Sequence, residues 1–327
     1  MAPCAGLSGS GWAVGVDIGG TAMKAVVVDA AGVVVARLRA PTGASQGPTA
    51  VLGTAAGLVE QARGLEGARG QAMSVGIGVP GFVDEAAGVV EFAANLGWRD
   101  MPVARLLGER LGLPVVLGHD VRLGGRAEGE LGAAVGAGDY LFVALGTGIA
   151  AALTLGGAQR RGPTGLAGEI GHVVVEPGGP RCRCGGRGCL EEVASASGIG
   201  RRYRAEVPGP EIGSAEVFAL ANGGDGVARR VVSTAAGYIG RTLAVVQGAL
   251  QLEVIVLGGG LAKAGPDLLE LVGAPLRSCL PCTPAPRLVL AKLGDEAASL
   301  GACLLARSSA GTGRAREEAP STSLGGS

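Results

Sequence analysis

Three of the chain's seven cysteines and one of its two histidines crowd into one stretch, GEIGHVVVEPGGPRCRCGGRGCLEE, from Gly168 to Glu192. A metal, a disulfide knot and a catalytic thiol are the chemistries such a cluster could serve. A bridge between Cys182 and Cys184 would be strained, and three thiols leave one over. A catalytic thiol needs one cysteine and leaves the clustering unexplained. Zinc accounts for it: Cys182, Cys184 and Cys189 with the His172 imidazole complete a tetrahedral site, closed and therefore structural. Gly185, Gly186 and Gly188 supply the tight turns that converge the thiolates. The work of such a site would be to hold the flanking Glu169 and Glu191 in place. Cys4, Cys279, Cys282 and Cys303 read as ordinary thiols. Cys279 and Cys282 form a C-x-x-C, but Pro281 lies between them and no second pair matches it.

Three glycine turns form a second group. In DIGGTAMK, Asp17 ends an apolar run and Gly19, Gly20 and Thr21 follow, with Lys24 beyond. Backbone N–H groups there could face phosphate oxygens, and Asp17 could hold Mg²⁺ through water; a plain hairpin turn is the equal alternative. No Gly-Lys-Ser/Thr ends it, so it is not a P-loop. Gly146, Thr147 and Gly148 in LGTGIA repeat the theme, and Gly258, Gly259 and Gly260 close VLGGG. Each is weak alone; together, at the ends of apolar strands in two similar halves, they point to a nucleotide gripped between two lobes. In GHD, Asp120 is either a helix N-cap or a general base. His119 beside it is either an ordinary partly buried side chain or part of a site.

The elements that must carry these residues follow from pattern. Val14–Asp17, Ala25–Val28 and Val33–Arg37 read as three successive strands, and a helix is predicted from Thr49 to about Arg63. MSVGIGVPG is a strand, Val103–Leu111 a helix, PVVLGHD a strand. A second cycle starts near Asp139 with strand, Gly-Thr turn, strand; then come a helix over Gly226–Gln251, the strand EVIVLGGG, a helix from Pro266 to about Ser278, the strand RLVLAKL and a helix from Asp295 to about Ala306. Strands alternating with helices argue for an α/β fold, and the two similar openings for a structural repeat. The last stretch, GTGRAREEAPSTSLGGS, is polar and predicted to be disordered. With 28 basic and 28 acidic residues the net charge is zero, so nothing global favours nucleic acid or an anionic membrane. Tyr140–Ala158 is uncharged and long enough to span, but its central Gly-Thr-Gly suits strand–turn–strand better. The N-terminus shows no signal-peptide pattern, and a cytoplasmic protein with reduced thiols is expected.

DIGGTAMK, GVPG, NLGW, LGTGIA, GEIGH, CRCGGRGCLEE and VLGGG, in this order, resemble the ROK family of repressors, open reading frames and kinases, most closely its bacterial ATP-dependent glucokinases. The match covers about residues 12 to 308. The resemblance implies an actin-like, RNase H-like ATPase fold: two α/β domains with a central cleft and a zinc-bound loop. On this reading a small α/β domain spans 12–119, completed by a C-terminal helix over 298–308; a large one spans 120–297 with the zinc loop at 172–189; and 309–327 is a disordered tail. It further implies ATP, Mg²⁺ and structural Zn²⁺, and phosphorylation of a hexose, glucose first, at its 6-hydroxyl. Asp120 would be the base. Asn95, His119, Glu169, His172 and Glu191 would meet the sugar, His172 serving zinc with its other nitrogen. The turns at Asp17–Lys24, 146–148 and 258–260 would hold the nucleotide. No nucleic acid and no membrane are expected as partners, and family members often form dimers or tetramers. Two departures stand out. The family usually has Asn where this chain has His119, which opens other hexoses or N-acetylhexosamines, or a non-catalytic sugar sensor. Ala150 and Ala151 replace glycines and are expected to add methyl groups near the second phosphate turn.

Overall fold

The computed structural model describes residues 5–317, with side chains over residues 6–310. Cys4 and the last ten residues of the expected tail lie outside the described residues. The chain opens with a meander, β1 (Trp12–Ile18), β2 (Ala22–Val28) and β3 (Val34–Pro41). It continues through α1 (Pro48–Arg63), β4 (Met73–Val79), β5 (Phe82–Asp84), β6 (Val89–Ala93), β7 (Trp98–Met101), α2 (Val103–Leu111), β8 (Val115–His119) and α3 (Asp120–Leu131). A second meander follows, β9 (Tyr140–Leu145), β10 (Ile149–Leu155) and β11 (Ala158–Arg160). After a long loop come α4 (Leu190–Ala194), α5 (Ala196–Glu206), α6 (Ser214–Asn222), α7 (Gly226–Leu250), β12 (Val254–Gly258), α8 (Pro266–Ser278), β13 (Arg287–Leu290) and α9 (Ala297–Glu317).

Two compact units result. The first runs to Ala127 and takes up the chain again from Glu296; the second is Glu128–Asp295. The break falls inside α3, so the start of α3 stays with the first unit. Each unit holds a mixed five-stranded sheet, ordered β3-β2-β1-β4-β8 in the first and β11-β10-β9-β12-β13 in the second. The plan is the same in both. The first strand pairs antiparallel with the second across a glycine turn, and parallel with a later strand on its other side. That is the repeat the sequence hinted at, carried by topology. β1 and β12 are apolar nearly throughout because both faces of each sheet are covered.

In the first unit, α1 and α2 close one core with Val14, Val16, Ile77 and Leu117. α9 lies against β1 and β4. Its backbone comes close because Gly15 and Gly76, paired across those strands, have no side chains: a Cβ at Gly15 would overlap the carbonyl of Ser299, and one at Gly76 that of Ala302. Gly76→Val is therefore expected to cost about 3 kcal/mol or more, read from urea unfolding. Gly57→Ala in α1, with nothing within 4 Å of the added methyl, should instead stabilise slightly. In the second unit α5, α6, α7 and α8 cover the sheet, and Ala228–Leu243 of α7 supply much of the core.

Three features depart from expectation. α9 does not stop near Ala306 but continues to Glu317. Ala, Arg and Glu favour helix there, and no proline intervenes before Pro320. A separate three-stranded antiparallel sheet, β5-β6-β7, had not been read. Its strands are three to five residues long and expose Phe82 and Phe92, so they carry little apolar periodicity. α4, α5 and α6 had not been read either. The uncharged run from Tyr140 is β9, a turn and β10, and among the described residues no helix is long and apolar enough to cross a membrane.

Candidate functional site

In the first unit the sequence-predicted residues gather at the C-terminal ends of β1, β4 and β8. Asp17 is half-buried at the end of β1, in register with Lys24 on β2. The intervening turn, Gly19–Thr21, is braced by buried Thr42 at the end of β3: its Oγ1 donates to the Gly19 carbonyl at 2.5 Å, and its N–H to that of Thr21 at 3.0 Å. Asn95 sits exposed in the turn joining β6 to β7, and its Cβ would lie 3.6 Å from a methyl built on Gly20. The small sheet that the sequence did not reveal thus carries Asn95 to the first glycine turn.

His119 ends β8 and Asp120 begins α3. The Asp120 carboxylate accepts the Val121 N–H at 2.7 Å and remains partly exposed. The His119 ring is buried, its Nδ1 3.4 Å from Asp120 Oδ1 and without a hydrogen bond. Below this junction lies a pair that sequence reasoning missed. Glu85 Oε1 accepts from Arg122 Nε at 2.8 Å and from the His119 backbone N–H at 3.2 Å, with the two side chains only 9% and 5% exposed. The available signal was weak: one Arg two residues after Asp120, and one Glu in the β5–β6 turn. Arg122→Met would leave the buried Glu85 carboxylate without that cation, an effect of about 3–5 kcal/mol. Urea unfolding should show it, with Glu85→Gln in the same chain recovering part of the loss.

In the second unit two glycine turns meet. Gly259, at a φ of 79°, lies so close to the end of β9 that a Cβ would come 2.5 Å from the Leu145 carbonyl. Gly146–Gly148 begins just after Leu145, so the 146–148 and 258–260 turns are neighbours. Ala151 does not face this turn: it is buried in the core opposite Val143, and only half-exposed Ala150 can approach a ligand there. The expected second methyl is thereby removed from the site.

The cysteine loop leaves and returns as a narrow hairpin, bridged at Val174 with Cys189 and at Arg181 with Arg187. The turn between closes with Cys182 N–H to Gly186 O at 2.9 Å. Glu176 ties the loop down, its carboxylate accepting from Arg202 of α5 at 2.6 Å and Tyr238 of α7 at 3.1 Å; Arg202 holds that carboxyl below the usual range. The four donor atoms of His172, Cys182, Cys184 and Cys189 all lie within 4.8 Å of one another. Cys182 Sγ is 3.6 Å from His172 Nδ1, and Cys184 Sγ 3.6 Å from Cys189 Sγ. A zinc tetrahedron with Zn–S near 2.3 Å and Zn–N near 2.0–2.1 Å has edges of roughly 3.6 Å (S–N) and 3.8 Å (S–S), so the donors fit the ion. The Gly186 N–H lowers the Cys184 thiol, whereas burial and the neighbouring thiols push Cys189 up to about 12, and burial raises Cys182. A bound dication would favour the thiolate form of all three.

His172 turns its other nitrogen outward: Nε2 is 3.8 Å from Glu169 Oε2. Glu191 opens α4 beside the glycine turn, its Oε2 accepting the Ile149 N–H at 3.0 Å. Glu169 thus lies beside the metal-ligand cluster through His172, and Glu191 beside the 146–148 turn, all within one unit. Cys279 and Cys282 are exposed free thiols, and Cys303, on α9, is buried with its Sγ toward the Val26 carbonyl of β2.

Known proteins resemble this chain along most of its length. The profile of the ROK family covers residues 13–309. The glucokinase of Halalkalibacterium halodurans is 34% identical over 89% of this chain and 93% of its own. An N-acetylmannosamine kinase of Escherichia coli O1:K1 / APEC is 31% identical over 89% of this chain and 97% of its own. A ROK family glucokinase from Streptomyces griseus, solved in complex with glucose and AMPPNP, superposes with a TM-score of 0.80 at 30% identity, covering 91% of this chain and all of that one.

Proposed function

The chain belongs to the ROK family, and on that premise we propose that it is a sugar kinase transferring the γ-phosphoryl group of ATP to the 6-hydroxyl of a hexose, with glucose the first candidate. The likeness to glucokinases along nearly the whole chain carries the reading, one of them having been solved with glucose and AMPPNP. The residues suit the chemistry. A sugar hydroxyl is a poor nucleophile at neutral pH, and the partly exposed Asp120 carboxylate would take its proton as the phosphoryl group arrives. Asn95, His119, Glu169, His172 and Glu191 would hold the other hydroxyls. These are groups that reject an analogue lacking a hydroxyl, because they are then left unpaired.

Phosphoryl transfer otherwise rests on positioning and charge neutralisation. The backbone turns at Gly19–Thr21, Gly146–Gly148 and Gly258–Gly260 would position the phosphates, and their charge would be offset by Mg²⁺ held through water at Asp17. In the cysteine loop His172, Cys182, Cys184 and Cys189 would hold a structural Zn²⁺ through His172 Nδ1. That leaves Nε2 for a sugar hydroxyl.

A second reading keeps the reaction and changes the sugar. It is favoured by His119 in place of the family's usual Asn, and by relatives named N-acetylmannosamine kinase. Sugar-dependent ADP release with Mg-ATP, measured across glucose, mannose, fructose, N-acetylglucosamine and N-acetylmannosamine, decides between them. Turnover highest with glucose is the expected result. Turnover highest with another hexose transfers the proposal to that sugar and ties His119 to specificity. No turnover with any of them overturns it.

A further inference from the structure

We infer that the Glu191 carboxylate couples sugar occupancy to nucleotide occupancy inside the second unit, so that each ligand raises the affinity for the other. This rests on the reading above, in which Glu191 meets the sugar and the Gly146–Gly148 turn meets phosphate. One carboxylate has two oxygens to share. Glu191 Oε2 is already committed to the N–H of Ile149, the first residue beyond the turn, at 3.0 Å. The turn is shaped around it: a Cβ at Gly148 would overlap Glu191 Oε2. A carboxylate drawn toward a sugar hydroxyl must therefore shift against Gly148 and Ile149. A sugar hydroxyl that donates to Glu191 would also disperse negative charge that otherwise repels a phosphate on the adjacent turn, which gives the coupling its favourable sign.

Three further contacts make the same connection. A Cβ at Gly171, between Glu169 and His172, would overlap the Ile149 carbonyl, so the segment bearing those two residues is pressed onto the strand that leaves the turn. That segment is also bonded to β10, Ala151 N–H donating to Gly168 O at 2.8 Å. Behind the turn, the Ala196 N–H at the head of α5 donates to Gly146 O at 2.9 Å. Residues 146–151 are thus held on several sides by the segments that carry Glu169, His172 and Glu191. Packed and bonded in this way, the turn and the hydroxyl-binding residues cannot move independently, and the coupling is reciprocal by linkage.

The test is equilibrium binding of Mg-AMPPNP with and without saturating glucose, or with whichever hexose of the panel is turned over best, and the reciprocal titration of the sugar. The wild-type protein is expected to bind Mg-AMPPNP about fivefold or more tightly when sugar is present. In Glu191→Ala each ligand binds more weakly, and the ratio falls to within about twofold of one. Gly148→Ala, whose methyl displaces Glu191 without itself meeting sugar, is expected to weaken sugar binding severalfold even with no nucleotide present. A merely structural role for Glu191 would lower affinities without changing the ratio. Should Glu191→Ala not fold, Gly148→Ala decides alone. A wild-type ratio in Glu191→Ala, or unchanged sugar affinity in Gly148→Ala, overturns the inference. A wild-type protein that binds both ligands with a ratio of one also sinks the coupling and leaves the kinase reading standing. Failure to bind any hexose sinks that reading, and the coupling with it.

Discussion

Asp120→Asn should lower turnover by roughly 10²–10⁴-fold while leaving sugar affinity within a few-fold of wild type. The substitution keeps size and shape. An Asn side-chain oxygen can still accept the Val121 N–H that Asp120 now accepts at 2.7 Å, so the start of α3 is not disturbed. What disappears is basicity, since an amide cannot take the hydroxyl proton. The loss should therefore fall on kcat, with sugar binding followed separately by equilibrium titration. Thermal stability should stay near wild type. Retained turnover would place the base elsewhere. Loss of sugar binding along with turnover would make Asp120 chiefly a binding group.

Removing one donor of the cysteine cluster is expected to have the second large effect. Cys189 is fully buried, and it precedes α4, on which Glu191 lies two residues further along. Cys189→Ser should reduce zinc in the purified protein from about one ion per chain to a small fraction, because three remaining donors bind far more weakly than four. Without the ion, the cysteine end of the hairpin loses its convergence point, and what holds the loop is its two bridges, its turn hydrogen bonds and the Glu176 contacts to Arg202 and Tyr238. His172 and Glu191 then lose the anchor that orients them, and sugar affinity is expected to fall tenfold or more, in keeping with what loss of an orienting contact does elsewhere. Cys279→Ser, at an exposed thiol outside the loop, is the control and should keep its zinc. A wild-type protein that carries no zinc and still binds sugar fully would remove the metal from this account.

Much of the fold could be read along the chain wherever an element is long and its period clear. The sequence places the helix over Val103–Leu111 to the residue, and α1, α7, α8 and the strands of both large sheets to within a few, except β11, a three-residue edge strand without apolar pattern. The parts missed lacked local signal. β5, β6 and β7 are short, and one side of that sheet exposes its aromatic residues, so no alternation marks them. The end of α9 was misjudged because a polar, glycine-bearing tail can still continue a helix once it has begun.

By itself the sequence determined the chemistry present and much of its grouping. Four metal-donor residues stand within eighteen positions, Cys182, Cys184, Cys189 and His172, and glycine turns end apolar strands. Such features are local, since neighbours in the chain are neighbours in space. Which atom does what depends on how the elements pack. That packing turned His172 Nδ1 toward the thiols and Nε2 toward Glu169. It sent the Ala151 methyl into the core, because a strand puts successive side chains on opposite faces and one face of β10 is buried. It joined Glu85 to Arg122 and Glu191 to Ile149, partners 37 and 42 residues apart. Those pairings follow from how sheets, turns and helices close on one another. No periodicity or spacing in the chain records that closure.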